Sequence, residues 1–171
     1  MFLFLVGSLM EQYPRPISTA QQRARLQRVR SLASHYGFVG RVEYRHVASR
    51  AGGAQYVIGV TEDQDLLAVY ADAFRRDADP EDFSLEAIIA HERGHQLVAR
   101  DPRLARLLSG RMSRVGEEVL ASLIGSVLVH SPVDHEHLVG KATTEAVLAG
   151  LSWEAAERLV TTMQNALEEH L

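Results

Sequence analysis

The sequence predicts an α+β fold: a small antiparallel sheet of three strands packed against one helix, with several further helices around them. An amphipathic helical pattern comes first, three β-branched and aromatic segments follow, and every later segment has helical periodicity. The chain has 171 residues, of which 46% are apolar and 23% charged, which fits one globular domain. Residues 1–171 are therefore expected to form a single domain.

The apolar residues 1–10 precede the first helix and are too short to cross a bilayer, which takes about 20 residues. They lack the basic start and the small-residue cleavage site of a signal peptide. A buried terminal strand is expected here, with a membrane or partner contact as the alternative. Ser18 and Gln21 have the spacing of a capping box and predict a helix that runs to about Tyr36.

Three strands are expected at residues 42–47, 55–60 and 66–71. The glycine pair at 52–53 predicts a turn before the second strand, and the segment from Asp63 to Asp65 predicts one before the third. These short connections favour an antiparallel meander, in which neighbours in sequence pair. If the strand at 66–71 forms the edge beside the site, an extended substrate can pair with its backbone.

Charge and cysteine content narrow the possible functions. Residues 1–60 carry eight arginines against two acids, whereas residues 61–92 carry ten acids against two arginines. Half of the early arginines flank the apolar stripe of the first helix, so no nucleic-acid partner is expected. The acidic segment either attracts basic peptides or balances those arginines. The chain has no cysteine, which excludes disulfides and thiolate ligands and favours a reducing, cytoplasmic location.

Further helices are expected from near Ser84 to Asp101, and then at 103–108, 112–130, 134–148 and 152–170. Gly94 shares one face of the first of these with Ala87, Ala90 and Leu97, and such a small-residue face is expected to lie close to the sheet. The only lysine, Lys141, stands beside seventeen arginines. We attribute this imbalance to genome composition and expect no function for Lys141.

An H-E-x-x-H motif, formed by His91, Glu92 and His95, lies within the helix that begins near Ser84. Residues four apart lie on the same face of a helix, so both imidazoles can reach one metal ion. Glu92 follows the first histidine and can act on a water without binding the metal. The alternative is a solvated or hydrogen-bonded histidine pair, but the helical placement favours a Zn²⁺ site.

A third ligand can come from two places. Asp101 follows His95 by six residues, as in metzincins, but Val98 stands where that pattern needs glycine, and Asp101 before Pro102 fits a helix end better. Glu117 and Glu118 begin a later helix. Glu118 lies on a small-residue face that leaves room for a metal, whereas Glu117 fits a solvated first-turn glutamate.

Two segments carry a resemblance to a known group: Ala90-His91-Glu92-Arg93-Gly94-His95, and Glu118-x-x-Ala121-x-x-Ile124-Gly125-x-x-Leu128-Val129-His130-x-Pro132. They resemble the gluzincin metallopeptidases, and most of all the ImmA/IrrE family, whose second helix reads E-x-x-A-x-x-F-A-x-x-L-L-x-P. The resemblance covers residues 55–132 and leaves a helical extension at 134–171. It implies a zincin-like fold with His91, His95 and Glu118 as zinc ligands and Glu92 as the base.

Ser122 departs from the family pattern, which usually has Asn or Asp at this position. Because serine is shorter, it is less suited to the hydrogen bond that this position makes to a ligand histidine. Arg93 also departs, since an apolar residue is usual there.

The expected activity is that of a zinc metallopeptidase acting on a protein or peptide. Glu92 takes a proton from the attacking water and delivers it to the leaving amine. Four residues are candidates to stabilise the oxyanion: Tyr70, His130, His135 and His137. The alternative is a regulatory protein of the same fold that binds a partner such as a repressor without turnover. A zinc-stabilised structural module without turnover is a further alternative. Glu92 argues against both, because a purely structural site needs the histidines but not the base. Oligomeric state has no signature in the sequence.

Overall fold

A computed structural model of the chain describes residues 14–49, 52–77, 82–107 and 114–169. Its helices and strands have the following order: α1 (Thr19–His35), β1 (Arg41–Arg45), β2 (Ala54–Val57), β3 (Leu66–Tyr70), α2 (Leu85–Arg100), α3 (Pro102–Leu107), α4 (Arg114–Leu128), α5 (Pro132–Leu148) and α6 (Trp153–Glu168). This confirms the α+β class. The predicted terminal strand at 1–10 lies outside the described residues. Among those described, no helix has the length and apolar character needed to span a bilayer.

Serine side chains cap the first residues of α1, α2, α5 and α6. At α1 the capping box is complete: Gln21 N–H donates to Ser18 Oγ at 3.1 Å, and Ser18 N–H donates to the Gln21 side chain at 2.8 Å. Ser84 caps α2 by accepting a hydrogen bond from Ala87 N–H at 2.9 Å. α5 begins at Pro132, two residues earlier than expected, because Ser131 caps it and proline is well suited to a first helical position.

The three strands form a mixed sheet in the order β1–β3–β2, so the predicted antiparallel meander is wrong. β3 lies in the centre, parallel to β1 and antiparallel to β2. The reason is the segment between β1 and β2, whose two ends both bond to the end of β3. Ala71 N–H donates to Val47 O at 3.2 Å, and Tyr70 N–H donates to Gly53 O at 2.8 Å. β1 and β2 therefore lie on opposite sides of β3 and do not pair with each other in a tight hairpin.

Two apolar clusters lie on either side of α2. The first joins the sheet, α1 and the start of α2 through Val29, Leu67, Val69, Leu85 and Ile89. The second joins the end of α2 to α4, α5 and α6 through Val98, Leu120, Leu123, Ala142, Val160 and Leu167. Because α2 is packed on both sides, its side chains are held rigidly between the sheet and the later helices.

Gly94 and Gly125 allow α2 and α4 to pack backbone to backbone. A Cβ atom added at Gly94 would overlap the Ala121 carbonyl oxygen, and one at Gly125 would lie 3.0 Å from His91 N. No larger residue fits at Gly94 without moving α4. This close packing sets how near Glu118, one turn before Ala121, comes to the H-E-x-x-H motif.

The expectation that the small-residue face of α2 lies against the sheet is therefore wrong. Gly94 contacts α4, and Ala87 and Ala90 pack in a third apolar cluster that includes Val129 and Leu138. The residues of α2 that cover the sheet are large. Small residues serve where two helix backbones meet, whereas bulky side chains fill the wider space between a helix and a sheet.

Candidate metal centre

The structure brings the three predicted ligands together. The Nε2 atoms of His91 and His95 lie 3.2 Å apart. The two oxygens of the Glu118 carboxylate lie 3.4 Å from His91 Nε2 and 3.6 Å from His95 Nε2. These three side chains form a group whose ligand atoms are all within reach of one ion. His91 is buried, while His95 and Glu118 are partly exposed at the wall of a cleft.

The opposite ring nitrogens of the two histidines have their own partners. His91 Nδ1 lies 3.1 Å from Ser122 Oγ, and His95 Nδ1 lies 3.1 Å from a Glu117 carboxylate oxygen. A carboxylate only accepts, so it favours a proton on Nδ1 of His95 and a lone pair on Nε2. Carboxylates, carbonyls and hydroxyls commonly orient metal-binding histidines in this way.

Two expectations from the sequence are corrected by these contacts. Ser122 reaches His91 although it is shorter than Asn or Asp, because Gly125 lets α4 approach the backbone at His91. Glu117 is not merely a solvated first-turn glutamate, since its carboxylate contacts His95. The sequence does contain a signal for this contact, since Glu117 and Glu118 are adjacent, but only Glu118 was expected to meet the histidines.

The two histidines have opposite pKa shifts. Burial, together with the charges of His95 and Lys141, lowers the pKa of His91 and favours the neutral ring that a metal requires. Burial also acts to lower the pKa of His95, but the carboxylates of Glu118, Glu92 and Glu117 outweigh it and raise that pKa. Hydrogen bonds from both histidines hold the pKa of Glu118 far below its usual range. The negative charge that retains a proton on His95 would equally attract a divalent cation.

Glu92 is held beside the ligands by the sheet. Its Oε2 atom accepts a hydrogen bond from Tyr56 N–H of β2 at 2.7 Å, and the side chain is buried. No described residue bonds to its other carboxylate oxygen, and Glu92 lines the same cleft as the three ligands. One oxygen is therefore fixed while the second can accept a proton.

The ligands lie on a cleft of about 650 Å³ between β2 and helices α2, α4 and α5. β2 forms one wall through Ala54, Gln55 and Tyr56, and an apolar wall contains Phe83, Ala87, Ile88 and Leu138. The expectation that the strand at 66–71 borders the site is wrong, because β3 is central and β2 is the strand that lines the cleft.

Asp101 is not part of the centre. It forms the end of α2, and its carboxylate lies 2.8 Å from the Arg103 guanidinium. Hydrogen bonds from Arg103 lower the pKa of Asp101 to about 2. The interpretation of Asp101 as a helix terminator agrees with this position.

The four candidate oxyanion donors do not line the cleft. Each has another environment: Tyr70 contacts Arg45, His130 packs against His35, His135 bonds to Ser126 O, and His137 packs against Phe83. Lys141, to which the sequence assigned no role, does line it. Its Nζ lies 3.4 Å from a Glu118 oxygen and 3.0 Å from a Glu145 oxygen.

A second polar cluster is centred on Asp65, which is fully buried just before β3. It contacts the later part of α2 through Gln96 and Arg100. The Asp65 carboxylate accepts hydrogen bonds from Gly59 N–H at 2.7 Å, Gln96 Nε2 at 2.8 Å and the Tyr56 hydroxyl at 3.0 Å, and pairs with Arg100. Burial would raise the pKa of Asp65, but these donors outweigh it and lower that pKa well below its usual range. Burial and Asp65 together raise the pKa of Tyr56 to about 12.

Comparison with known proteins does not assign this chain to a family: no family model, no curated protein and no solved structure matches it.

Proposed function

We propose that this protein is a zinc-dependent metallopeptidase in which His91, His95 and Glu118 bind Zn²⁺ and Glu92 is the general base. The distances between the three ligand atoms carry the proposal. A tetrahedral zinc ion with bonds of 2.0–2.1 Å places its ligands about 3.3–3.5 Å apart. The two histidine Nε2 atoms here lie 3.2 Å apart, and the two oxygens of the Glu118 carboxylate lie 3.4 Å from His91 Nε2 and 3.6 Å from His95 Nε2. Each imidazole also has a partner at Nδ1 that can orient it.

Three protein ligands leave a fourth position open, as catalytic zinc sites require. Zn²⁺ held by these three residues would supply a Lewis acid and lower the pKa of a water molecule to about 7. The chain itself supplies a fixed base, because Tyr56 N–H anchors one oxygen of Glu92. The other oxygen removes a proton from the attacking water and then delivers it to the leaving amine.

A peptide is the substrate that the walls of the cleft favour. β2 presents a strand beside Glu92, and an extended peptide lying along it would place its carbonyl groups near the base. The apolar wall formed by Phe83, Ala87, Ile88 and Leu138 would bury a side chain of that peptide. The cysteine-free chain supports, within the same proposal, a cytoplasmic location.

Two alternatives would give Glu92 no catalytic role. One is a regulatory protein that binds a partner such as a repressor without turnover, and the other is a purely structural zinc site. Neither needs a carboxylate that lines a cleft and has one oxygen anchored by a backbone N–H. The resemblance to ImmA/IrrE proteins supports the peptidase in the same way, because the segments that carry it include the base as well as the ligands.

The decisive variant is Glu92→Gln, which keeps the shape of the side chain and removes the base. We expect it to retain one zinc per chain, measured by atomic emission after dialysis, and an unchanged Tm. Hydrolysis of a random mixture of fluorescence-quenched peptides should fall by about 10²-fold or more. Glu154→Gln, at a glutamate that is 85% exposed on α6, is the matched control and should match wild type. Equal activity of Glu92→Gln and wild type would refute the catalytic role.

A further inference from the structure

Peptide hydrolysis develops negative charge on the carbonyl oxygen, and a positioned donor stabilises it. The tyrosine and histidines expected from the sequence do not line the cleft, and the Tyr56 hydroxyl is bonded to Asp65. Among the described residues that line the cleft, Lys141 is the only lysine or arginine. Lys141 is therefore the lysine or arginine donor that the described part of the chain offers to the cleft.

Lys141 lies at the edge of the ligand group. Its Nζ is 3.4 Å from Oε2 of Glu118, and that same oxygen is 3.4 Å from His91 Nε2. The ammonium group is thus next to the ligand carboxylate and not at a remote end of the cleft.

The ammonium group is also held in place. Glu145, one turn further along α5, pairs with it at 3.0 Å, and Leu138 on the same side of the helix is fully buried. The Lys141 side chain is only 25% exposed, so its hydrogen bonds are stronger than those of a solvated lysine. A fixed, partly desolvated donor does not have to reorganise during the reaction.

We propose that Lys141 donates a hydrogen bond to the carbonyl oxygen of the scissile peptide bond as that oxygen becomes negative. This inference rests on the proposed peptidase function. As the water oxygen bonds to the carbonyl carbon, the C=O π electrons move onto the oxygen beside Lys141. They return when the C–N bond breaks, and Glu92 carries the proton from the water to the amine. Lys141 keeps its own proton throughout.

The test compares Lys141→Met and Lys141→Arg with Arg158→Met, which removes a positive charge from a side chain that is 72% exposed on α6. Zinc content, kcat and KM on one cleaved peptide, and the Kd of inorganic phosphate for the zinc-loaded protein are measured for each. We expect Lys141→Met to keep its zinc and lower kcat by about 10²–10³-fold, with KM changed by less than about threefold. The phosphate Kd should rise about tenfold or more, because a tetrahedral anion loses a charged donor. Lys141→Arg should recover part of both losses.

Three results would overturn the inference. Unchanged kcat or unchanged phosphate Kd in Lys141→Met would show that the ammonium group does not contact the oxyanion. Loss of zinc would show that Lys141 acts only by supporting Glu118. A defect confined to KM, and present only for peptides with a free carboxyl terminus, would make Lys141 a binding group for that terminus. If wild type binds zinc but cleaves no peptide, the proposed function fails and the inference fails with it. If wild type cleaves peptide and Lys141→Met keeps its kcat, only the inference fails.

Discussion

Two clusters of polar side chains lie along helix α2. They differ in whether the protein itself supplies a partner for every hydrogen-bonding atom. Around Asp65, each carboxylate oxygen is matched by donors from the protein: Gly59, Tyr56, Gln96 and Arg100. Around His91 and His95, three atoms that can each offer a lone pair converge on one point. The first cluster is complete without a ligand, whereas the second could be completed by a cation.

This difference separates a structural cluster from a candidate site. Buried polar groups in native proteins are almost always satisfied, and a group that is not satisfied calls for a physical reason. The Asp65 cluster joins the turn between β2 and β3 to α2, and therefore stabilises the fold. The ligand cluster has its outer nitrogens matched by Ser122 and Glu117, which leaves only the shared centre open.

The largest effect is expected from Asp65→Ala, which removes the acceptor of the complete cluster and leaves Arg100 without its buried partner. Breaking such a pair destabilises a protein by about 3–5 kcal/mol. Urea denaturation followed by circular dichroism measures this loss, and the protein that remains folded should still bind one zinc. Arg103→Ala, at an exposed pair with Asp101, is the control and should lose far less stability, because solvent screens such a pair. A loss of similar size in both variants would contradict the structural role of Asp65.

The contribution of Asp65 also has a defined pH dependence. Its pKa is lowered by folding, so the unfolded chain takes up a proton at a higher pH than the folded chain. The stabilisation is therefore fully present above the unfolded pKa of about 3.9 and is lost as the pH falls below it. Urea midpoints of wild type and Asp65→Ala should converge as the pH is lowered from 5 to about 2. A constant difference across this range would show that the charge of Asp65 is not what stabilises the protein.

The open cluster should respond to zinc where the complete cluster does not. A ligand that binds only the folded state adds about 2.7 kcal/mol of stability at one hundred times its Kd. Wild type should therefore gain about this much in urea denaturation when zinc is added. Glu118→Gln should gain much less, because it removes a ligand, while Glu154→Gln should behave as wild type. An equal gain in Glu118→Gln would place zinc elsewhere in the chain.

The helix contact that joins the ligands can be tested with two glycines. Gly94→Ala forces a Cβ against the Ala121 carbonyl, and overpacking of this kind destabilises by about 1–3 kcal/mol. It should also weaken zinc binding, since α4 must shift with Glu118. Gly140→Ala on α5 meets no atom within 4 Å, and should stabilise by about 0.5–1 kcal/mol through helix propensity. Destabilisation by both variants would mean that the contact at Gly94 is not special.

The grouping of His91, His95 and Glu118 could be predicted from the sequence because each residue belongs to a pattern within its own helix. His91 and His95 are one turn apart on a single helix, and Glu118 is on a helix whose small-residue face left room for the metal. The serine caps at Ser18 and Ser84 were predictable for the same reason, since capping involves residues three apart.

The sheet order and the Asp65 cluster were not predictable, because both depend on which distant segments meet. β1 pairs with β3 although β2 lies between them in the sequence. Asp65 is bonded by Gln96 and Arg100, which are more than thirty residues away. Lys141 was missed for a similar reason. A lysine on a helix has no local signature, and only the packing of α5 against α4 places its amine beside Glu118.

The smallest effect is expected on zinc affinity, from a comparison of Ser122, which contacts His91, with Ser126, whose hydroxyl bonds to its own helix. Ser122 and Ser126 are both buried on α4, one turn apart, but Ser122 contacts His91 Nδ1 whereas Ser126 donates to the Leu123 carbonyl. Removing a group that orients a metal-binding histidine weakens metal affinity by about 10–100-fold. We expect Ser122→Ala to lie near the lower end, because burial and the packing of α4 still hold His91 in place. Ser126→Ala should leave zinc affinity within about twofold, since its hydroxyl satisfies only its own helix. Zinc affinities measured by competition with a chromophoric chelator would separate the two, and equal values would show that the rigidity of α2 alone orients His91.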